Sequence, residues 1–172
     1  HIIPMIGVYD VFSATLASQK FEAIFCSGYG FSASYYGLPD NGYIAWTDLV
    51  DYVTRIRAII PNTHILVDID DGFGDENIAV NIVKRLEIAG ASAIMMEDQK
   101  RPKKCGHLDG KSIVPLKDYL RKLETILELC STMFVLARTD ATNFNKGIER
   151  VKAFVALGAD AVMIEGLTCI DD

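Results

Sequence analysis

An α/β fold, a TIM-type (β/α)8 barrel reduced to about six βα units, is what this sequence predicts. Three observations predict it: six short apolar runs that do not alternate with polar residues, amphipathic stretches between them, and a residue capable of chemistry after nearly every run.

The runs fall at 5–8, 23–26, 65–67, 93–96, 134–137 and 161–164 and are rich in Ile, Val, Met and Phe. Strands covered on both faces have this composition, as parallel strands do. Between them, 46–60 puts Leu49, Val53, Ile56 and Ile60 on one stripe, and 77–89 does the same with Ile78, Ile82, Val83 and Leu86. Helices are expected there. Two more are expected at 116–129, after Pro115, and at 148–157, before Gly158, where proline and glycine punctuate helix ends. AGASAIMMED at 89–98 and LGADAVMIEG at 157–166 share one plan at an offset of 68 residues, the offset of two βα units of about 34 residues. In each, glycine ends a helix and small residues allow a tight turn into the next strand.

Asp10, Ser27, Asp68 with Asp70, Glu97, Arg138 and Glu165 follow the six runs in turn, which puts them at carboxyl ends. An open doubly wound sheet concentrates its ligands at one switch point, whereas a barrel gathers groups from many strands at one mouth. The barrel is therefore preferred. A complete one needs about 250 residues. Residues 1–172 are read as a single barrel domain lacking two carboxyl-terminal βα units, and the absence of an initiator Met at His1 fits a piece of a longer chain.

Half of the residues are hydrophobic, which excludes a mainly disordered chain, and the net charge of -6 without a long Lys/Arg run argues against nucleic acid or anionic membrane as partner. No apolar run approaches the ~20 residues of a membrane span. The four cysteines, Cys26, Cys105, Cys130 and Cys169, form no C-x-x-C pair and are expected as reduced thiols in a cytoplasmic protein.

Three constellations carry chemistry. VDIDDGFG (67–74) sets Asp68, Asp70 and Asp71 at a strand end before two glycines, a donor set suited to a hard divalent cation, or to an acidic turn that caps a helix. Glu97 at the neighbouring strand end could add a contact to the same ion. KKCGH (103–107) surrounds Cys105 with Lys103, Lys104 and His107, which would favour a thiolate able to act as base and then acid in a mobile lid, or else form a solvated basic loop. Arg138 in LARTDA suits bidentate contact with a substrate carboxylate, or an ion pair with a nearby acid.

These motifs, together with SGYGFSASYYGLPDNG (27–42) and MMEDQ (95–99), resemble in order and spacing the isocitrate lyase and phosphoenolpyruvate mutase superfamily, from Gly7 to Leu167. The resemblance implies an Mg2+-dependent βα barrel, with Mn2+ as an alternative ion, that forms an enolate-like intermediate next to a carboxylate. It implies Asp68 as direct metal ligand, with Asp70, Glu97 and Asp40 holding metal-bound water. Ser27, Gly28 and Tyr29 would bind the keto-acid half of a small dicarboxylate or 2-oxo acid and Arg138 a carboxylate. Cys105 would exchange a proton with the leaving fragment, Lys103, Gly106 and His107 would complete the lid, and Glu165 would contact substrate or Lys103.

A KKCGH lid resembles that of carbon–carbon lyases, while phosphoenolpyruvate mutases have asparagine at the Cys105 position, so a mutase or phosphonopyruvate-type enzyme is the alternative. Phe25 stands where methylisocitrate lyases carry tyrosine, and Asp71 where Thr, Ile or Gly is usual. SGYGFSAS is closer to oxaloacetate hydrolases and alkylmalate lyases. Homo-oligomers, typically tetramers, are implied for a full-length member. A catalytically silent binding or assembly module is the remaining reading of so short a chain.

Overall fold

The computed structural model describes residues 2–130 and 132–166; Cys169, Leu167 and the acidic tail lie outside the described residues. Six strands, β1 (Met5–Val8), β2 (Ala23–Cys26), β3 (His64–Asp68), β4 (Ala93–Glu97), β5 (Phe134–Thr139) and β6 (Ala161–Ile164), pair in chain order and are all parallel. Helices α1 (Val11–Ser18), α2 (Gly28–Phe31), α3 (Trp46–Ile59), α4 (Glu76–Ala89), α5 (Leu116–Leu129) and α6 (Phe144–Leu157) follow the first five strands, α2 running on as a π-helical turn, Ser32–Tyr36. The sheet curls into part of a barrel whose edges are β1 and β6. At those edges Met5 (47% exposed) and Met163 (37%) keep inward-facing apolar surface open.

Period-2 alternation along each strand explains both layers. Ile24, Cys26, Ile65, Val67, Ile94, Met96, Val135 and Ala137 point outward and are buried under the helices. Phe25, Leu66, Met95, Leu136 and Met163 point inward, and two residues on, the same face carries Ser27, Asp68, Glu97, Arg138 and Glu165. One pleat thus gives each of these strands an apolar floor residue and a polar residue above it.

Three expectations change in detail. Asp10 has the wrong parity for the mouth: its carboxylate caps α1, accepting from the Ser13 amide at 2.6 Å, while Ser13 Oγ accepts from the Asp10 amide. Ile78 is 42% exposed and Ala79 and Val80 take its buried place, since the buried stripe of α4 runs through Ala79, Ile82, Val83 and Leu86 and leaves Ile78 at its edge. Helix α6 starts at Phe144 rather than at 148. Asn143 caps it, and Gly147, which interrupts the apolar pattern, lets α6 lie against β6: a Cβ there would stand 3.1 Å from Ile164. Gly90 and Gly158 both end helices in the left-handed conformation, as the internal repeat requires.

Candidate functional site: a carboxylate cluster under a cysteine loop

The turn after β3 bends by placing Asp70 in the left-handed region (φ 49°), which aspartate tolerates better than most residues. Its amide donates to Asp68 Oδ1 at 3.0 Å and its carbonyl accepts the Glu97 amide at 2.8 Å, so β3 and β4 deliver their acids side by side. Gly28 lies against this turn, where a Cβ would stand 3.1 Å from Asp68 Oδ2. Asp40 arrives from the loop that follows the π-helical turn. Lys103 ties the group together, its ammonium 2.8 Å from Asp40 Oδ1 and 2.5 Å from Asp70 Oδ1.

All five of Asp40, Asp68, Asp70, Glu97 and Lys103 are buried. Burial pushes the Glu97 carboxyl up to about 9 and that of Asp70 up to about 6, in both cases against the pull of Lys103. Burial opposes the Lys103 charge, yet Asp70, Asp68 and Glu97 hold that ammonium above its ordinary value. The cluster is short of positive charge. Asp70 Oδ2 and Glu97 Oε1 are buried without a hydrogen-bond partner among the described residues. Unpaired carboxylate oxygens in a cation-poor, all-oxygen setting suit a hard divalent ion. As the side chains lie, no three His, Cys, Asp or Glu residues among those described are arranged to hold an ion, Lys103 occupying the space between Asp40 and Asp70. The donor chemistry fits such an ion; the closed arrangement is completed by an ammonium instead.

Arg138, paired in register with Glu97 across β4 and β5, reaches several acids. Its Nε and Nη2 donate to Asp140 at 2.9 Å each; Nη2 lies 3.2 Å from Glu97, and Nε 3.7 Å from Glu165. The ion-pair alternative for Arg138 is what the structure shows, and the same side chain also lines the cavity. That cavity, about 360 Å³, has Phe25, Leu66, Met95 and Leu136 as its floor and Ser27, Asp40, Asp68, Arg138 and Glu165 around it, with Tyr29, Cys105, Gly106 and His107 at its border. Gly106 lies so close that a Cβ would stand 2.5 Å from Arg138 Nη2 and 2.7 Å from Glu165 Cγ. The cysteine loop covers the arginine.

The expected substrate, metal and loop residues fall in or beside this mouth, Asp10 and Asp71 do not line it, and the cations are distributed differently than expected. Lys103 turns into the carboxylates and Lys104 Nζ donates to the Asp109 carbonyl at 3.4 Å. His107 is 81% exposed and faces Glu165 at 3.6 Å; of the two partners expected for Glu165, substrate or Lys103, the lysine turns elsewhere, and Glu165 meets His107 and Arg138. Attraction to buried acids outcompetes a half-buried thiol for the lysine. Asp71 forms a forked pair with Arg101, at 2.7 to 3.1 Å. Sequence reasoning missed Gln99, Lys111 and Asp140, which hold the loop from behind. The only signal was that Gln99 and Asp140 sit inside the MMEDQ and LARTDA motifs, each two residues beyond the polar residue, Glu97 or Arg138, at its strand's end.

The model of the family described as phosphoenolpyruvate phosphomutase matches residues 1–172. The chain belongs to this family. Among its relatives is the petal death protein of Dianthus caryophyllus, 38% identical over 98% of this chain and 55% of the relative. The 2-methylisocitrate lyase of Bacillus subtilis is also 38% identical, over 96% of the chain and 56% of the enzyme. The chain therefore spans little more than half the length of these relatives. Oxaloacetate acetylhydrolase in complex with 3,3-difluorooxalacetate superposes with a TM-score of 0.94 at 29% identity, covering 98% of this chain and 60% of that one. Phosphonopyruvate hydrolase complexed with oxalate and Mg2+ gives 0.85 at 27% identity, covering 95% and 58%. The family thus contains carbon–carbon lyases as well as carbon–phosphorus enzymes. No helix among the described residues is long and apolar enough to cross a membrane.

Proposed function

We propose that this chain carries the catalytic mouth of an Mg2+-dependent lyase or hydrolase that cleaves a carbon–carbon bond in a small 2-hydroxy or 2-oxo dicarboxylate. The observation that carries the reading is one cavity bordered at once by Asp68, Arg138 and Cys105, which belong to two strand ends and a loop remote from one another in sequence. Asp68 would hold the ion directly, with Asp70, Glu97 and Asp40 behind it; Mn2+ could replace Mg2+. When bound, the ion supplies positive charge that stabilises a developing enolate more than the substrate. Arg138, already oriented by Asp140, would bind a carboxylate, and Ser27, Gly28 and Tyr29 the keto-acid half. Cys105 would move a proton to or from the leaving carbon, while Lys103, Gly106 and His107 close the loop against water and Glu165 steadies Arg138 and His107. The unpaired edges at β1 and β6 favour a single barrel domain short of two βα units, so that full activity would need the remaining length. A cytoplasmic homotetramer is the expected assembly of a full-length form.

The alternative is a phosphonate-forming mutase or phosphonopyruvate-type hydrolase, favoured by the similarity to phosphonopyruvate hydrolase. The test is to incubate the chain with Mg2+ and either 2-methylmalate or phosphonopyruvate and to assay pyruvate, inorganic phosphate and phosphoenolpyruvate. Pyruvate from 2-methylmalate without phosphate from phosphonopyruvate supports the lyase. Phosphate with pyruvate from phosphonopyruvate, or its conversion to phosphoenolpyruvate, supports the alternative, and no product from either compound would favour a silent binding module. Cys105→Ser should abolish turnover and leave Mg2+ binding intact; undiminished turnover would remove the thiol from the mechanism.

A further inference from the structure

Residues 100–112 leave and re-enter the barrel through a short stem. Gln99 and Ile113 form an isolated antiparallel bridge, and the Lys100 amide donates to the Ser112 carbonyl at 2.8 Å. Two side chains of this stem turn back into the loop. The Gln99 amide group grips Lys104 twice, donating to its carbonyl at 2.8 Å and accepting its N–H at 3.0 Å. Lys111, whose side chain is 5% exposed, donates to the Gly106 carbonyl at 2.5 Å. Cys105 is thus held by the backbone on both sides.

Both grips meet at one carboxylate. Asp140 Oδ1 accepts from Lys111 Nζ (3.1 Å), Gln99 Nε2 (3.3 Å) and Arg138 Nη2 (2.9 Å), while Oδ2 accepts from Arg138 Nε. Asp140 is itself fixed from outside the barrel, its amide donating to Asp98, which also accepts from Thr139 and from Arg150 of α6 at 2.6 Å each. An ammonium so enclosed is costly unless every partner is in place. None of Gln99, Lys111 and Asp140 lines the cavity.

We propose that Lys111 is a positioning residue, a latch that joins the Gly106 carbonyl to Asp140 and so holds the cysteine loop closed over the same guanidinium that Asp140 aims. With Lys111 engaged, the loop and Arg138 share one anchor. Loss of the latch frees the loop without touching the cavity wall. This inference rests on reading residues 103–107 as a lid over the site, and its test needs neither substrate nor metal.

The full chain and its Lys111→Met and Lys111→Arg variants are treated with iodoacetamide, and alkylation is followed at each cysteine separately by peptide mass spectrometry. Cys26 and Cys130 are buried and report on the fold, Cys105 on the loop. Lys111→Met should speed alkylation of Cys105 by about tenfold, the effect of losing one charge-assisted hydrogen bond on an opening equilibrium, with Cys26 and Cys130 unchanged. Lys111→Arg, which keeps the charge and donors, should restore most of the protection. An unchanged Cys105 rate in Lys111→Met would overturn the latch. So would a parallel rise at Cys26, Cys105 and Cys130, since the lysine would then hold the fold and not the loop.

Discussion

Replacing Lys103 by methionine tests the charge balance of the cluster most directly. The ammonium lies 2.8 Å from Asp40 and 2.5 Å from Asp70, and its side chain is only 3% exposed. Removing one partner from a buried ion pair costs about 3–5 kcal/mol, because the other charges remain buried and unpaired. Asp70 limits that cost. Its carboxyl already stands at about 6 with the lysine present, and without it would rise further and take up a proton near neutral pH. The lower end, ~3 kcal/mol, is therefore expected; for a chain of this size that lowers Tm by about 6–12 °C.

The pH dependence follows from the direction of the Asp70 shift. A carboxyl raised above its unfolded value of 3.8 binds more protons in the folded state, so stability is present below 3.8 and lost as pH climbs to the folded value. In the parent chain this loss ends near 6; in Lys103→Met it continues above that, so the deficit widens with pH. Circular-dichroism melts of both proteins, metal-free at pH 5.5 and 7.5, would measure it, and millimolar Mg2+ should recover part of the loss at the higher pH. A Tm drop of under about 2 °C at pH 7.5, or equal drops at both pH values, would refute the reasoning.

Two further outcomes follow from the same geometry. Gly106→Ala would press a methyl group against an Arg138 that Asp140 prevents from retreating, so the loop must lift by about 1 Å; a displacement of that size costs about 100-fold in turnover while Mg2+ affinity stays the same, and undiminished turnover would count against close loop contact. Because burial holds the Glu97 carboxyl at about 9 and a divalent ion binds only carboxylates, Mg2+ binding at pH 7.5 should release about one proton and tighten as pH rises toward 9. Calorimetry in two buffers of different ionisation enthalpy reads the release directly; identical heats would remove Glu97 from the ion's surroundings.

The mouth was legible because its signals are local. A strand's period of two sends Leu66 and Asp68, or Leu136 and Arg138, to the same face, and the apolar run marks which end is carboxyl. Asp10 misled for an equally local reason: it follows a run directly, but one position out of phase, and Ser13 three residues on makes it a helix cap. Gln99, Lys111 and Asp140 escaped notice because each is an ordinary polar residue until Lys104, Gly106 and Arg138 are brought beside it.

The amino-acid sequence by itself determined the order of parallel strands, the acids and arginine they present at one rim, and membership in the phosphoenolpyruvate phosphomutase family, since periodicity and motif spacing are properties of neighbouring residues. Only the tertiary structure decided that Lys103 serves the carboxylates and not the thiol, that burial raises the Glu97 carboxyl above its ordinary range, and that one aspartate anchors both arginine and loop. Burial and Coulomb energies depend on distances between residues tens of positions apart, and those distances exist only once the sheet has curled.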